Sequence, residues 1–249
     1  MTTERLLAPA KLTLSLRVTG VRADGYHLID AEMVTLDWYD ELEVEPGGSG
    51  LSADGPYAEG MPLDERNLVA AALRHVGRDA RIHLHKRLPH GGGLGGGSSD
   101  AAAVLRWAGV TDPADAVRLG ADVAFCLVGG RARVSGIGEV VEPLEFVPLD
   151  VTLVVPPVHV STPAVYRAWD DLGGPRAEGP NDLEPAALVV APQLAAWRDR
   201  IAAASGATPV LAGSGASWFV VGHHQLAEAF AGDEWHGTTV VQTRTVPAP

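Results

Sequence analysis

Leu88-Pro89-His90-Gly91-Gly92-Gly93-Leu94-Gly95-Gly96-Gly97-Ser98-Ser99-Asp100, running straight into Ala101-Ala102-Ala103-Val104-Leu105, decides how this 249-residue chain is read. Six glycines between positions 91 and 97 give a backbone that turns tightly and comes close to a ligand, because no Cβ stands in the way. Ser98, Ser99 and Asp100 ahead of the alanines predict a helix N-terminus with its cap residues. A glycine loop feeding a helix start offers unpaired N–H groups and the positive end of the helix dipole, which suits a phosphate. A flexible linker is the competing reading. Against it stand a strand-like segment at 80–84 on one side and the alanine-rich helix on the other.

The loop departs from two familiar phosphate motifs. A Walker loop needs Lys directly after its last glycine, and Ser98 follows Gly97. The G-x-G spacings in 91–96 arise from glycine abundance alone. A dinucleotide fold also wants an acidic residue about 20 positions on, at the end of the next strand. Asp122 lies near that distance but precedes an apolar stretch instead of following one.

Outward from the loop, residues 11–18 alternate Lys-Leu-Thr-Leu-Ser-Leu-Arg-Val, which predicts a half-buried strand with Leu12, Leu14, Leu16 and Val18 on one face. Ala23-Asp24-Gly25 is a turn, and 27–44 continues as strand with a corner at 37–40. Residues 46–62, rich in Gly, Ser and Pro, read as loop. A helix is expected over 63–75, helix and loop character over 115–125, and a hairpin from 131–134 and 139–141 around Gly136-Ile137-Gly138. A second half begins near Val147. It has strands at 151–155, 210–211, 218–221 and 239–245, and helices at 164–172, 194–204 and 225–231. This order is mixed α+β with no true repeat.

Composition sets outer bounds. The length allows one large domain or two ordinary ones. A net charge of −12 argues against nucleic acid or a membrane surface as partner. The single cysteine, Cys126, excludes an intrachain disulfide and reads as a buried structural thiol suited to a reducing compartment. With no leader-like start and no apolar run near the roughly 20 residues of a membrane span, the expectation is a soluble cytosolic protein. No His, Cys and carboxylate cluster has metal-ligand spacing, and His83/His85 and His223/His224 read as surface residues, so no structural metal is expected.

Six segments together resemble the GHMP kinases. They are Ala8-Pro9-Ala10-Lys11-Leu12, Arg22-Ala23-Asp24-Gly25-Tyr26-His27, the glycine run, Gly120-Ala121-Asp122-Val123-Ala124-Phe125, Asn181-Asp182-Leu183-Glu184 and Leu211-Ala212-Gly213-Ser214-Gly215-Ala216. The resemblance implies a two-lobed α+β fold. Its N-terminal lobe, 1–146, is like the second domain of ribosomal protein S5 and binds ATP; its C-terminal lobe, 147–249, is ferredoxin-like; the substrate cleft lies between. It further implies an ATP-dependent kinase with Mg²⁺ bridging the phosphates. Asp24-Gly25-Tyr26-His27 points within the superfamily to the branch that phosphorylates a hydroxyl of a cytidine-diphosphate-linked polyol in non-mevalonate isoprenoid synthesis. Another GHMP small-molecule kinase, or a non-catalytic nucleotide-binding regulator, is the alternative. A monomer or homodimer is expected.

Residue by residue, Asp122 matches the base on the attacking hydroxyl, although spacing alone reads it as a cap. Lys11 matches the cation that steadies Asp122 and the phosphate, where a surface lysine is the default. Such a pair keeps both charges ionised. Pro89, Gly91, Gly92, Gly93, Leu94, Gly95, Gly96 and Gly97 match the wrap around the triphosphate, with Ser98 and Ser99 donating hydroxyls to it or to the metal shell. Asn67 matches a position near adenine, or is a helix cap. Tyr26 and Tyr166 match aromatics on either face of a cytosine, with His27 at its polar edge, or are packing residues. Gly213 and Ser214 match a second glycine turn facing the phosphates, or form a plain strand-connecting turn. Thr13 stands where the family usually carries Asn near the cytidine substrate. The segments 101–120 and 166–194 are shorter than usual.

Overall fold

Alternating apolar and polar residues near the start of the chain make a long antiparallel pair, β1 (Glu4–Val21) and β2 (His27–Pro46), joined at the 22–26 turn. The computed structural model describes residues 3–248. β2 runs unbroken through 37–40, where a corner was expected. What changes there is its pairing: Pro9 faces Tyr39 but Lys11 faces Thr35, a bulge that sharpens the twist without ending the strand. A second shift, between Thr13 and Ser15, divides the leucine stripe of β1. Leu12 and Leu14 enter one apolar cluster, Leu16 and Val18 another, so the four do not share a single face.

β2 carries three partners along its other edge. Its early residues pair with β5 (Arg131–Gly136), which forms the expected hairpin with β6 (Val140–Pro143). Its late residues pair with β4 (Ala80–His85). β3 (Leu51–Asp54), a short parallel edge strand on β4, falls inside the segment expected to be loop, because four residues bounded by glycines give almost no periodic signal. Against this sheet pack α1 (Leu68–Val76), α2 (Gly96–Trp107), the single turn α3 (Pro113–Ala116) and α4 (Ala121–Val128). The helix expected over 63–75 begins only at 68, where the Asn67 side-chain Oδ1 accepts from the Val69 amide and sets the start.

Beyond residue 147 the strands are β7 (Asp150–Val155), β8 (Val210–Leu211), β9 (Trp218–Val221) and β10 (Thr239–Val246), in the spatial order β10-β7-β9-β8. Counted from β7 that is 4-1-3-2, the ferredoxin-like order. α5 (Thr162–Asp171), α6 (Glu184–Val190) and α7 (Leu194–Ser205) fill the first crossover. α6 was not anticipated, since Pro180, Pro185 and Pro192 hide a seven-residue helix whose proline sits harmlessly in its first turn. The helix expected over 225–231 contracts to a 3₁₀ turn at Glu228–Phe230; Leu226 and Phe230 are buried, but the segment is too short to propagate. No helix among the described residues is long and apolar enough to cross a membrane.

The two sheets meet at β10, whose Thr245 and Val246 pair with Leu36 and Thr35 of β2 after its earlier residues have paired with β7. A separate apolar cluster fills this seam, with Leu12 and Leu36 from one sheet against Val151, Leu153 and Phe219 from the other. Leu88 and Leu94, the apolar residues on either side of the first glycine triplet, plug into it and are fully buried. The glycine loop is thus pinned to the junction of the sheets at both of its leucines.

Candidate active site

The loop between Leu88 and α2 lines a cavity of about 980 Å³, at the upper end of the range for small-molecule sites. Its backbone fits a phosphate cradle. Gly93 and Gly95 hold φ of +76° and +68°. A Cβ on Gly93 would strike the Ala212 carbonyl, and one on Gly95 would lie 2.6 Å from Lys11 Cγ, so only glycine fits at either place. α2 begins at Gly96 with no side-chain cap. The first N–H groups of a helix lack intrahelical acceptors, so this terminus keeps them free for an anion.

The helix therefore starts two residues before Ser98, and the cap role read for Ser98, Ser99 and Asp100 is not what these side chains do. Ser98 lines the cavity. Ser99 is buried in the opposite direction, donating to the Pro9 carbonyl at 2.6 Å with Cys126 Sγ 3.2 Å away, and its hydroxyl is not available to a nucleotide. Leu94 likewise anchors instead of contacting ligand; its carbonyl accepts from the Lys11 amide at 3.0 Å. Asn67 spends its side chain on the α1 cap and on the Pro62 carbonyl, while the neighbouring Leu68 reaches the cavity wall. Pro89, Gly91, Gly92, Gly93, Gly95, Gly96 and Gly97 all line the cavity.

Facing this loop, Lys11 Nζ lies 3.1 Å from Asp122 Oδ2 and 3.2 Å from Thr13 Oγ1. The lysine sits on β1 just past the pairing shift opposite the β2 bulge, and only 6% of its side chain is exposed; the Asp122 side chain keeps 36%. Asp122 is the second residue of α4, where the helix dipole favours a carboxylate, and it makes no cap hydrogen bond. Both groups line the cavity, and the carboxylate is left free to meet a ligand.

The turn at 211–216 closes over the loop from the other side. Ser217 N donates to Gly92 O at 3.2 Å, and Ser214 pairs its hydroxyl with Thr162 at 2.8 Å. Asn181 fixes the turn from beneath: its buried amide donates to the carbonyls of Leu211 (2.9 Å) and Gly213 (2.6 Å). The adjacent Asp182 accepts from Arg17 and from the amides of Val18 and Ala177, tying the same corner to β1.

Across the cavity, Tyr26, His27 and Tyr166 come together as aromatic walls. Tyr26 is 60% exposed. The His27 ring, not that of Tyr26, packs against Tyr166 at a tilt of 34°, with centroids 4.6 Å apart, and Trp169 meets it edge-on at 5.6 Å. His27 Nε2 is 2.8 Å from Asp170 Oδ1, a link from β2 to α5 across the cleft. Burial pushes the Tyr166 phenol up, and Asp122 adds to the shift, so it stays protonated.

Several lining residues escaped the sequence reading: His90, Arg118, Thr162, Arg167 and Asp170. Burial, with help from Lys86, holds the His90 imidazole below its ordinary value. Also unanticipated is a sealed cluster under the loop. Lys86, fully buried, donates to Asp40 and, at 2.5 Å, to Asp100. Asp40 also accepts from the amides of Arg87 and Leu88, at the entrance to the loop. Burial raises Asp100 and opposes the charge on Lys86, but the two carboxylates outweigh that penalty and hold the lysine protonated. The sequence signal was the lone polar run His85-Lys86-Arg87 between apolar segments, which does not distinguish a buried lysine from an exposed one.

Residues 67–130 match the GHMP kinases N terminal domain. The chain is 42% identical over 234 residues to a 4-diphosphocytidyl-2-C-methyl-D-erythritol kinase of Paracoccus denitrificans, covering 86% of this chain and 85% of that protein. It is 38% identical to the protein of that name in Paramagnetospirillum magneticum, covering 88% and 89% of the two chains. Among solved structures, that of a 4-(cytidine 5'-diphospho)-2C-methyl-D-erythritol kinase superposes with a TM-score of 0.78 at 35% identity, over 98% of this chain and all of that one.

Proposed function

Because the chain belongs to the 4-diphosphocytidyl-2-C-methyl-D-erythritol kinase family of the GHMP kinases, we propose that this cavity transfers the γ-phosphoryl group of ATP to the 2-hydroxyl of that cytidine-linked polyol. The observation that carries the reading is the 3.1 Å Lys11–Asp122 pair. It faces the glycine cradle on one side, and an aromatic pocket lies across the same cavity.

Asp122 accepts the proton of the attacking hydroxyl as its oxygen bonds to the γ-phosphorus and the bond to the β–γ bridging oxygen breaks, which releases ADP and a phosphate monoester. Lys11 holds the carboxylate ionised and neutralises charge on the phosphoryl group in flight. The free amides of Gly96, Gly97 and Ser98 receive the triphosphate, and the Ser98 hydroxyl adds a donor. The cavity wall by the cradle carries an oxygen donor, the Ser98 hydroxyl, which suits Mg²⁺; when bound, that ion would screen the phosphate charges. At the far end His27 and Tyr166 form one face of a base-sized slot, and Tyr26 swings from its exposed position to cover the other. Gly213, Ser214 and Thr13 line the path between the two ends. We place the boundary between lobes near residues 146 and 147.

The test is ADP release by purified protein with Mg-ATP, offering the diphosphocytidyl methylerythritol, homoserine and mevalonate in parallel. Turnover restricted to the cytidine compound, and lost in Asp122→Asn, is the expected result. Turnover of another alcohol instead would place the chain elsewhere among these kinases. Binding of the cytidine compound without turnover would make it a regulator.

A further inference from the structure

On the outer face of the first sheet, β3 and β4 bring together Asp54, His83 and His85. His83 and His85 are two apart on β4 and share a face; Asp54 is the register partner of His85, Ser52 that of His83, and Glu43 on β2 lies opposite His83 from the other side. One ligand atom from each of the three lies within 4.8 Å of the others. Among the described residues no other group of three such side chains converges in this way.

The hydrogen bonds around the imidazoles give this cluster a direction. His83 Nδ1 meets Ser52 Oγ at 2.8 Å, leaving its Nε2 toward Asp54 Oδ2 at 3.5 Å. His85 Nε2 faces Glu43 Oε1 at 3.6 Å, leaving its Nδ1 on Asp54 Oδ1 at 2.6 Å. The outer nitrogen of His83 is thus hydrogen-bonded by β3, that of His85 faces a carboxylate on β2 beyond hydrogen-bond distance, and both inner nitrogens are aimed at Asp54. Metal-bound histidines are oriented in this way, with the second nitrogen donating to a hydroxyl or carboxylate that fixes the tautomer. Ligands about 2.0–2.2 Å from a tetrahedral ion lie roughly 3.3–3.6 Å from one another. The His83 spacing already matches that. The exposed Asp54 carboxylate needs only a small rotation to open the other.

We propose that Asp54, His83 and His85 form a surface site for a borderline transition metal, with zinc the best match and water completing the shell. Two imidazoles and one carboxylate select such an ion over Mg²⁺ or Ca²⁺, which prefer oxygen-only shells. The bound ion cross-links the four-residue edge strand β3 to β4. It braces the strand that leads through Lys86 into the glycine loop.

The test is a Zn²⁺ titration of chelator-treated, tag-free protein without nucleotide, read by calorimetry and by thermal unfolding. Wild type is expected to take up one equivalent and to unfold at a higher temperature with zinc than without. His83→Ala/His85→Ala is expected to lose that equivalent and the temperature shift, while unfolding normally in chelator. Asp54→Asn should lose it as well, and Ser52→Ala should weaken binding about 10-fold through the outer shell. Asp122→Asn should bind zinc like wild type. No uptake by wild type, or uptake unchanged in the double histidine variant, would overturn the site.

Discussion

Two lysine–aspartate groups flank the glycine loop, and they differ in almost everything except composition. Lys11 and Asp122 meet at the cavity, with a third of the aspartate side chain open to solvent and no other side-chain partner on it among the described residues. Lys86 with Asp40 and Asp100 is sealed, and Asp40 is further saturated by two backbone amides. A carboxylate able to take a proton from a substrate must be reachable and under-committed. One that fixes the entrance of a loop must be neither. Burial and partner count, more than residue type, separate the reacting pair from the scaffold.

The largest effect should come from the open pair. Asp122→Asn is expected to lower turnover by a factor of about 100 to 10,000, the range for loss of a general base, with the unfolding temperature unchanged. If stability fell as well, the two groups would not be separable. Lys86→Met should do the reverse. Two carboxylates left without their cation in the interior cost about 3–5 kcal/mol, measured as a lower denaturant midpoint. Any loss of activity should follow only from the unfolded fraction.

Asp100→Asn sharpens the contrast through pH. Burial, partly offset by Lys86, lifts the Asp100 carboxyl from 3.8 to about 7. Below 3.8 both folded and unfolded chains carry its proton; between 3.8 and about 7 only the folded chain does. The stability from this group is therefore present at low pH and lost as pH rises through that window. The asparagine variant should lack that fall when unfolding is followed from pH 4 to pH 7. The smallest effect belongs to the adjacent serines. Ser99→Ala should cost about 1 kcal/mol of stability with the KM for ATP unchanged, because it loses the core contacts to Pro9 and Cys126 and nothing at the cavity. Ser98→Ala should raise that KM and leave stability alone.

The glycine loop, its helix and the long β1–β2 pair were legible because each carries a strong local pattern. Six separated segments also pointed jointly to one kinase superfamily, and the comparisons bear that family out. Side-chain direction was not legible. Ser98 and Ser99 are neighbours of one type, yet one faces the cavity and the other the core, a difference set by the helix starting at Gly96. Tyr26 and His27 are likewise adjacent, and the histidine, not the tyrosine, packs against Tyr166, because Asp170 reaches across from α5 to hold it. β3 and α6 were missed for lack of length, and the buried Lys86 because nothing in a single sequence marks a charged residue as paired inside.

Gly93 and Gly95 have a consequence in genetic terms. Every glycine codon begins with two guanines, and any missense change at either base installs a residue with a Cβ. At these two positions that atom meets the Ala212 carbonyl or the stem of Lys11, on a backbone whose positive φ already disfavours any side chain. Only the third base of each codon can drift without a structural effect, so this stretch of the gene should accumulate synonymous changes and shed almost all others.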